Sequence, residues 1–123
     1  MEREAYRALK AWKTSPARKP LLLQGARQVG KTYLLKDFAR REYPDLVYLN
    51  FEETPDLASI FSGDLTVTRL IEVISAFQAK TIHPDKTAII LDEIQACPRA
   101  LTSLKYFHEQ AGYGVVFDLA AEA

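Results

Sequence analysis

The sequence has little of several features that would narrow its function: one cysteine, two histidines, five glycines and no excess of either charge in 123 residues. The single cysteine, Cys97, cannot form an internal disulfide, and with two histidines it is too small a ligand set for a zinc site. The 16 basic and 16 acidic residues cancel, which removes the overall charge that attracts nucleic acid or an anionic membrane and leaves at most a local patch. The sequence also lacks a bilayer-length apolar run and a signal-peptide core, so we expect a cytoplasmic protein with no membrane partner.

The composition, 48% hydrophobic and 26% charged, is typical of one soluble globular domain. Helical and strand-like patterns alternate along the chain without repeats, which favours an α/β fold. We predict helices over residues 3–13, 31–41, 66–79 and 98–110, a short helix over 56–61, and strands over 21–23, 46–52, 87–91 and, more weakly, 115–117. The third long helix carries apolar residues at helical intervals: Val67, Leu70, Ile71, Ile74 and Phe77.

Residues 21–32, LLLQGARQVGKT, place two of the five glycines, Gly25 and Gly30, between a short apolar strand and a helix. Glycine at these positions lets the backbone curl so that several peptide N–H groups point at one phosphate. The helix that begins near Lys31 directs the positive end of its dipole at the same anion, the Lys31 ammonium can reach the β- and γ-phosphates, and Thr32 offers a hydroxyl to Mg²⁺. The spacing matches G-x-x-x-x-G-K-[ST], the Walker A phosphate-binding loop. The alternative interpretation is a glycine-containing turn in an ordinary βα unit.

Residues 88–95, AIILDEIQ, form an apolar strand that ends in two carboxylates, Asp92 and Glu93. In a parallel α/β sheet the carboxyl ends of the strands line the ligand crevice. Asp92 can hold Mg²⁺ through water there, as a Walker B aspartate does, and Glu93 is placed to orient or deprotonate an attacking water. A carboxylate directly after this aspartate resembles the P-loop ATPases with a catalytic glutamate, and it argues against nucleoside kinases and GTPases. The alternative is a solvated strand exit.

Taken together, RKPLLLQGARQVGKTYLL, YLNFEE and AIILDEIQACPRALTSLKYFHE resemble the N-terminal ATPase domain of a widespread prokaryotic family of AAA-type ATP-binding proteins. The resemblance implies an α/β P-loop NTPase fold: three α/β/α layers around a mainly parallel sheet ordered 5-1-4-3-2, here AAA-type and incomplete. In that order the fourth strand lies between the Walker A and Walker B strands, and residues 115–117 are its candidate. The chain then divides into an N-terminal helix and linker (1–19), a Walker A to Walker B core (20–111) and a divergent end (112–123).

The resemblance also implies ligands and site residues. Mg-ATP, or ADP, is the expected ligand, with Glu93 and Lys31 as catalytic residues and with Thr32 and Asp92 as metal ligands. Asn50, at the exit of the second strand, resembles the polar residue that in some AAA-type ATPases holds the catalytic glutamate away from water; an asparagine there is also a common turn former. The residues expected to contact the nucleotide are Gly25, Ala26, Arg27, Gln28, Val29, Gly30, Lys31, Thr32 and Tyr33.

The end of the sequence departs from the family pattern. No Ser, Thr or Asn follows Val115, where the family places a polar sensor, and an arginine that reaches a neighbouring subunit's γ-phosphate would lie beyond Ala123. We therefore expect a natural or engineered fragment, and we interpret Arg27 and Arg99 as exposed surface residues.

Three functions follow as hypotheses. The favoured one is a Mg-ATP-binding module that, in a full-length and self-associating protein, hydrolyses ATP to drive a conformational change. The first alternative is a nucleotide-binding switch with negligible hydrolysis. The second is a small-molecule P-loop kinase, which would need an acceptor site and an arginine-bearing lid.

Overall fold

The computed structural model describes residues 2–14, 20–22, 30–84, 86–109 and 113–117. Its helices are α1 (Glu2–Thr14), α2 (Gly30–Glu42), α3 (Val67–Gln78) and α4 (Pro98–Glu109). Its strands are β1 (Leu21–Leu22), β2 (Asp45–Asn50), β3 (Thr87–Asp92) and β4 (Gly114–Phe117). Two 3₁₀ segments connect strands to helices, Pro55–Phe61 between β2 and α3 and Ile94–Ala96 between β3 and α4.

The four described strands form one sheet in the order β1-β4-β3-β2, with every neighbouring pair parallel. Strand β4 lies between β1 and β3. Its residue Val116 pairs with Leu21 of β1 on one side and with Ile90 of β3 on the other. The weak strand pattern at residues 115–117 therefore does form the central strand, one residue longer than predicted. This order agrees with the one that the family resemblance implied.

Helices cover both faces of the sheet, which produces three α/β/α layers. Because side chains alternate along a strand, the odd-numbered core residues of β2 and β3 meet the Pro55–Phe61 segment, α3 and α4, and the even-numbered ones meet α1 and α2. All six residues of β3 are buried, as expected for a parallel strand covered on both sides. The first face includes Val47, Leu49, Phe51, Ile89, Leu91, Leu70, Ile74 and Phe107. The second includes Leu9, Trp12, Phe38, Ala39, Ala88 and Ile90.

Helix α3 ends in a Schellman motif. Ala79 has φ 54° and ψ 41°, in the left-handed region, and its N–H donates to the carbonyl of Ala76 while that of Lys80 donates to Ser75. The Lys80 ammonium then binds the Asp45 carboxylate at 2.8 Å and the Leu46 carbonyl at 2.9 Å. The end of α3 is thus fixed to the start of β2.

One strand boundary differs from its sequence-based prediction by two residues, and the sequence pattern left the burial of two further residues, Phe77 and Cys97, open. Strand β2 ends at Asn50 rather than at residue 52, because the Asn50 side-chain oxygen accepts the backbone N–H groups of Glu52 and Glu53 in a turn. Phe77 is 50% exposed, although it continues the apolar spacing of α3, because it lies in the last turn just before the chain reverses at Ala79. Cys97 is buried.

Candidate functional site

The predicted phosphate-binding loop is described in part. Its last residues, Gly30, Lys31 and Thr32, form the first turn of α2, which gives them the helix N-terminal position that the motif requires. Tyr33, in the same turn, is 64% exposed. The remaining predicted loop residues lie outside the described ranges: Gly25, Ala26, Arg27, Gln28 and Val29.

Helix α2 runs antiparallel to the strands, with its N-terminus at the carboxyl edge of the sheet. At its C-terminal end, Tyr43 lies against Gly114, the first residue of β4. Nearer its start, Lys36 places its ammonium 4.1 Å from the ring centroid of Tyr48, close to the carboxyl end of β2. Thr32 is one helical turn, about 6 Å, further along in the same direction. The start of α2 therefore points toward the edge of the sheet at which β2 and β3 end.

Asp92 is the last residue of β3 and is 1% exposed. Its carbonyl accepts the N–H of Phe51, and its Oδ2 accepts the hydroxyl proton of Tyr48. It is in register with Asn50 on β2. A buried, ionisable carboxylate is costly unless it is hydrogen-bonded. The fold therefore supplies a donor to the predicted Walker B aspartate, at the sheet edge that α2 faces with its N-terminus.

Asn50 is bonded to the turn after β2 and to Tyr48. Its Oδ1 accepts the N–H groups of Glu52 at 2.9 Å and Glu53 at 3.0 Å, and its Nδ2 donates to the Tyr48 hydroxyl oxygen at 3.2 Å. Within the described ranges, Asn50 makes no hydrogen bond to Glu93. The role of Asn50 as a switch remains a prediction, while its role as a turn former is visible.

Glu93 has φ 55° and ψ 44°, a left-handed conformation that is uncommon outside glycine. Such a conformation costs about 1–3 kcal/mol and is concentrated at functional sites. This conformation redirects the chain from β3 into the Ile94–Ala96 segment. The Glu93 Oε1 atom accepts a hydrogen bond from Gln95 Nε2 at 2.8 Å. Glu93 is half-buried. Two adjacent carboxylates, Asp92 and Glu93, thus lie at the end of the same strand in different environments.

Arg99 is exposed, as predicted, yet its guanidinium donates hydrogen bonds to two backbone carbonyls. Its Nε donates to the Phe61 carbonyl at 2.7 Å, and its Nη2 donates to the Gly63 carbonyl at 2.6 Å. These bonds join the start of α4 to the connection before α3. An open groove of about 440 Å³ lies beside them, on the sheet face opposite to α2. Its lining includes Asp64, Thr66, Arg99, Thr102, Tyr106 and Glu109, and neither Asp92 nor Glu93.

The sequence analysis missed two residues of this region, Tyr48 and Lys36. A usable signal was present for Tyr48, because alternation along VYLN puts it on the same strand face as Asn50, and pairing of β2 with β3 brings that face to Asp92. Lys36 follows Thr32 by four residues, which places the two positions on one side of α2.

The parallel sheet order, the three layers and a strand that ends in a buried carboxylate define an AAA-type P-loop ATPase fold. Residues 17–118 match a family model described as an AAA domain. The chain belongs to this family. Membership supports nucleotide binding and ATPase-type activity as its general function.

A solved structure of C. elegans PCH-2 is similar to the chain, with a TM-score of 0.53 and 18% sequence identity. The similarity covers 99% of this chain and 36% of that chain. At this identity it establishes the fold alone. A comparison with curated protein sequences found no match. No helix within the described ranges is long and apolar enough to cross a membrane.

Proposed function

We propose that the chain is the Mg-ATP-binding part of an ATPase, with the phosphates held at the N-terminus of α2 and hydrolysis assisted by Glu93. The observation that carries this proposal is the position of Asp92. It is a buried carboxylate at the carboxyl end of β3, on the sheet face covered by α2, and α2 begins with Gly30, Lys31 and Thr32. Phosphate groups and oxygen ligands for a cation are needed side by side in any such site.

In this proposal, each residue has a separate task. The N–H groups of the first turn of α2 and the Lys31 ammonium bind the phosphate oxygens. Glu93 accepts a hydrogen bond from the attacking water and orients it. Asp92, which is 1% exposed, would help to hold the cation.

The donor set at the end of β3 fits Mg²⁺. This ion prefers oxygen ligands, keeps several waters and is usually bound through one or two carboxylates together with substrate phosphates. Asp92 and Thr32 would hold it, and a carboxylate with about four lone-pair sites can accept the Tyr48 hydroxyl and still take part in metal binding. When bound, Mg²⁺ neutralises charge on the phosphates.

The second candidate function is a nucleotide-binding switch with negligible hydrolysis. The hydrogen bond between Glu93 and Gln95 favours it, because a base that is already engaged within its own turn must be released before it can orient water. Binding and turnover measured on the same variants separate the two functions.

The test is a calorimetric titration of the chain with Mg-ATP, beside a single-turnover hydrolysis assay. We expect Lys31→Ala to abolish binding. We expect Glu93→Gln to retain binding and, in the full-length protein, to lower hydrolysis by about a hundredfold, the size of a general-base contribution. Lys10→Ala is the matched control, because it removes an exposed lysine ammonium from α1, on a different helix.

Equal affinities of Lys31→Ala and the parent chain would contradict the phosphate site. Parental hydrolysis by Glu93→Gln would mean that another group orients the water. Binding without measurable turnover in the full-length protein would favour the switch.

A further inference from the structure

The Tyr48 side chain contacts both elements that supply the expected metal ligands. Its hydroxyl donates to Asp92 on β3, and the ammonium of Lys36 on α2 lies 4.1 Å from its ring centroid. Resting on the proposed function, we propose that Tyr48 is a positioning residue that fixes the Asp92 carboxylate in the orientation required to bind the Mg²⁺ of the nucleotide. It would act through Asp92 and would not itself touch nucleotide or metal.

Strand register explains why Tyr48 reaches Asp92. Tyr48 pairs with Ile90, so Asp92 is its diagonal neighbour two residues further along β3, on the same face of the sheet. Diagonal neighbours are too far apart for small side chains but within reach of an aromatic one. A tyrosine at position 48 is therefore suited to place a hydroxyl against this carboxylate.

The hydrogen bonds of the Tyr48 hydroxyl determine where its proton points. A tyrosine hydroxyl has one proton to donate. Asn50 donates its Nδ2–H to the Tyr48 oxygen, so the phenolic proton is directed to Asp92 and not to Asn50. The amide of Asn50 is itself oriented, because its Oδ1 accepts the N–H groups of Glu52 and Glu53. The turn after β2 thus orients the Asn50 amide, the amide orients the Tyr48 hydroxyl, and the hydroxyl orients the Asp92 carboxylate.

Helix α2 contacts the face of the same ring. A lysine ammonium over an aromatic face is attracted by the ring quadrupole, and Lys36 occupies this position above Tyr48. Lys36 lies one turn after Thr32, so the contact links the first half of α2 to the ring that donates to Asp92. Tyr48 is therefore held by α2 while its hydroxyl orients Asp92.

The variant Tyr48→Phe tests the proposal, because it keeps the ring and removes the hydroxyl. We expect its affinity for ATP in EDTA to stay within about twofold of the parent. We expect the Mg²⁺ concentration that gives half of the metal-dependent increase in affinity to rise by about tenfold, the typical effect of losing a group that orients a metal ligand. Calorimetry of ATP binding at a series of Mg²⁺ concentrations measures both quantities without requiring turnover.

Tyr6→Phe is a matched control. The hydroxyl of Tyr6 also donates to a carboxylate, Glu42, at 3.1 Å, but from α1 and away from β3. We expect this variant to keep the parental Mg²⁺ dependence.

Three outcomes would overturn the assignment: a parental Mg²⁺ dependence in Tyr48→Phe, an equal shift in Tyr6→Phe, or a loss of ATP affinity in EDTA, which would indicate a structural role. If the parent chain binds no ATP under any condition, the proposed function itself fails, and the result differs from each of these.

Discussion

Gly114, the first residue of β4, offers a direct test of the central strand. An ideal Cβ at this position would lie 2.7 Å from the Tyr43 hydroxyl oxygen, 3.3 Å from its Cζ and 3.5 Å from Cη2 of Trp12. Ordinary contact begins near 3.4 Å. The methyl group of Gly114→Ala would therefore overlap the hydroxyl, and either β4 or Tyr43 would have to move.

Tyr43 has little freedom to move. Its side chain is 4% exposed, its ring packs edge-on against Phe38 at 6.2 Å between centroids, and the Lys13 ammonium lies 5.1 Å from the same ring. Overpacking of this kind costs about 1–3 kcal/mol. Replacing glycine by alanine returns about 0.4–1 kcal/mol by restricting the unfolded chain. The overlap is the larger effect, so we expect Gly114→Ala to lower the free energy of unfolding by about 1–2 kcal/mol.

Urea unfolding followed by circular dichroism measures this change. Gly63→Ala is the control, because its Cβ would lie 3.4 Å from Nη2 of the Arg69 side chain, an ordinary contact; we expect a change within about 0.5 kcal/mol. In a Tyr43→Phe background the overlapping oxygen is absent, so Gly114→Ala should cost about 1 kcal/mol less there, a coupling that a double-mutant cycle isolates.

A Gly114→Ala chain as stable as the parent, with the same denaturant slope, would refute the reasoning. Tyr43 would then not cover Gly114, and β4 would not lie between β1 and β3 in the way described. If the double-mutant cycle showed no coupling, the loss of stability in Gly114→Ala would not come from the Tyr43 hydroxyl, because Tyr43→Phe removes that group.

Two further predictions concern the end of α3 and the start of β2. Ala79→Gly should raise the free energy of unfolding by about 0.5–1 kcal/mol in urea titrations, because Ala79 occupies a left-handed position that glycine adopts without a Cβ penalty; an unchanged midpoint would contradict this. The hydrogen bond from Lys80 and the N–H of Leu46 lower the pKa of Asp45, so its stabilising contribution is present above about pH 4, its ordinary pKa, and is lost as pH falls through the lowered value. With both side chains of the pair 41% exposed, Asp45→Asn should cost less than about 1 kcal/mol at pH 7, and this cost should shrink as the pH falls through the lowered pKa. A pH-independent difference in unfolding titrations would contradict the linkage.

Hydrophobic spacing and turn residues predicted the helices and strands to within a few residues at their ends. The β2 boundary was wrong for a specific reason: Asn50 caps the following turn with its side chain, a local polar interaction that the apolar pattern of LVYLNFE does not reveal. Helical spacing says which side of α3 Phe77 occupies, but it does not say that the last turn of the helix leaves this side chain 50% exposed.

The site was predictable as a set of positions and not as a network of bonds. Spacing alone placed Lys31 and Thr32 at a helix start and Asp92 at a strand end, and both positions agree with the fold. The hydroxyl of Tyr48 on Asp92 depends on which strands are neighbours and on their register. Those are long-range properties, which a pattern within one segment does not contain.

The position of β4 also has a consequence for how the chain reaches its native state during synthesis. Strands β2 and β3 can pair as soon as residue 92 has left the ribosome, whereas Leu21 finds its partner, Val116, only after nearly all of the described chain has emerged. The entropy of closing so long a loop makes such contacts slow to form. Until then, β1 and the edge of β3 that later pairs with β4 carry unpaired N–H and C=O groups. Such groups are templates for intermolecular pairing. Nascent chains that stop before β4 should therefore be the ones that require a chaperone.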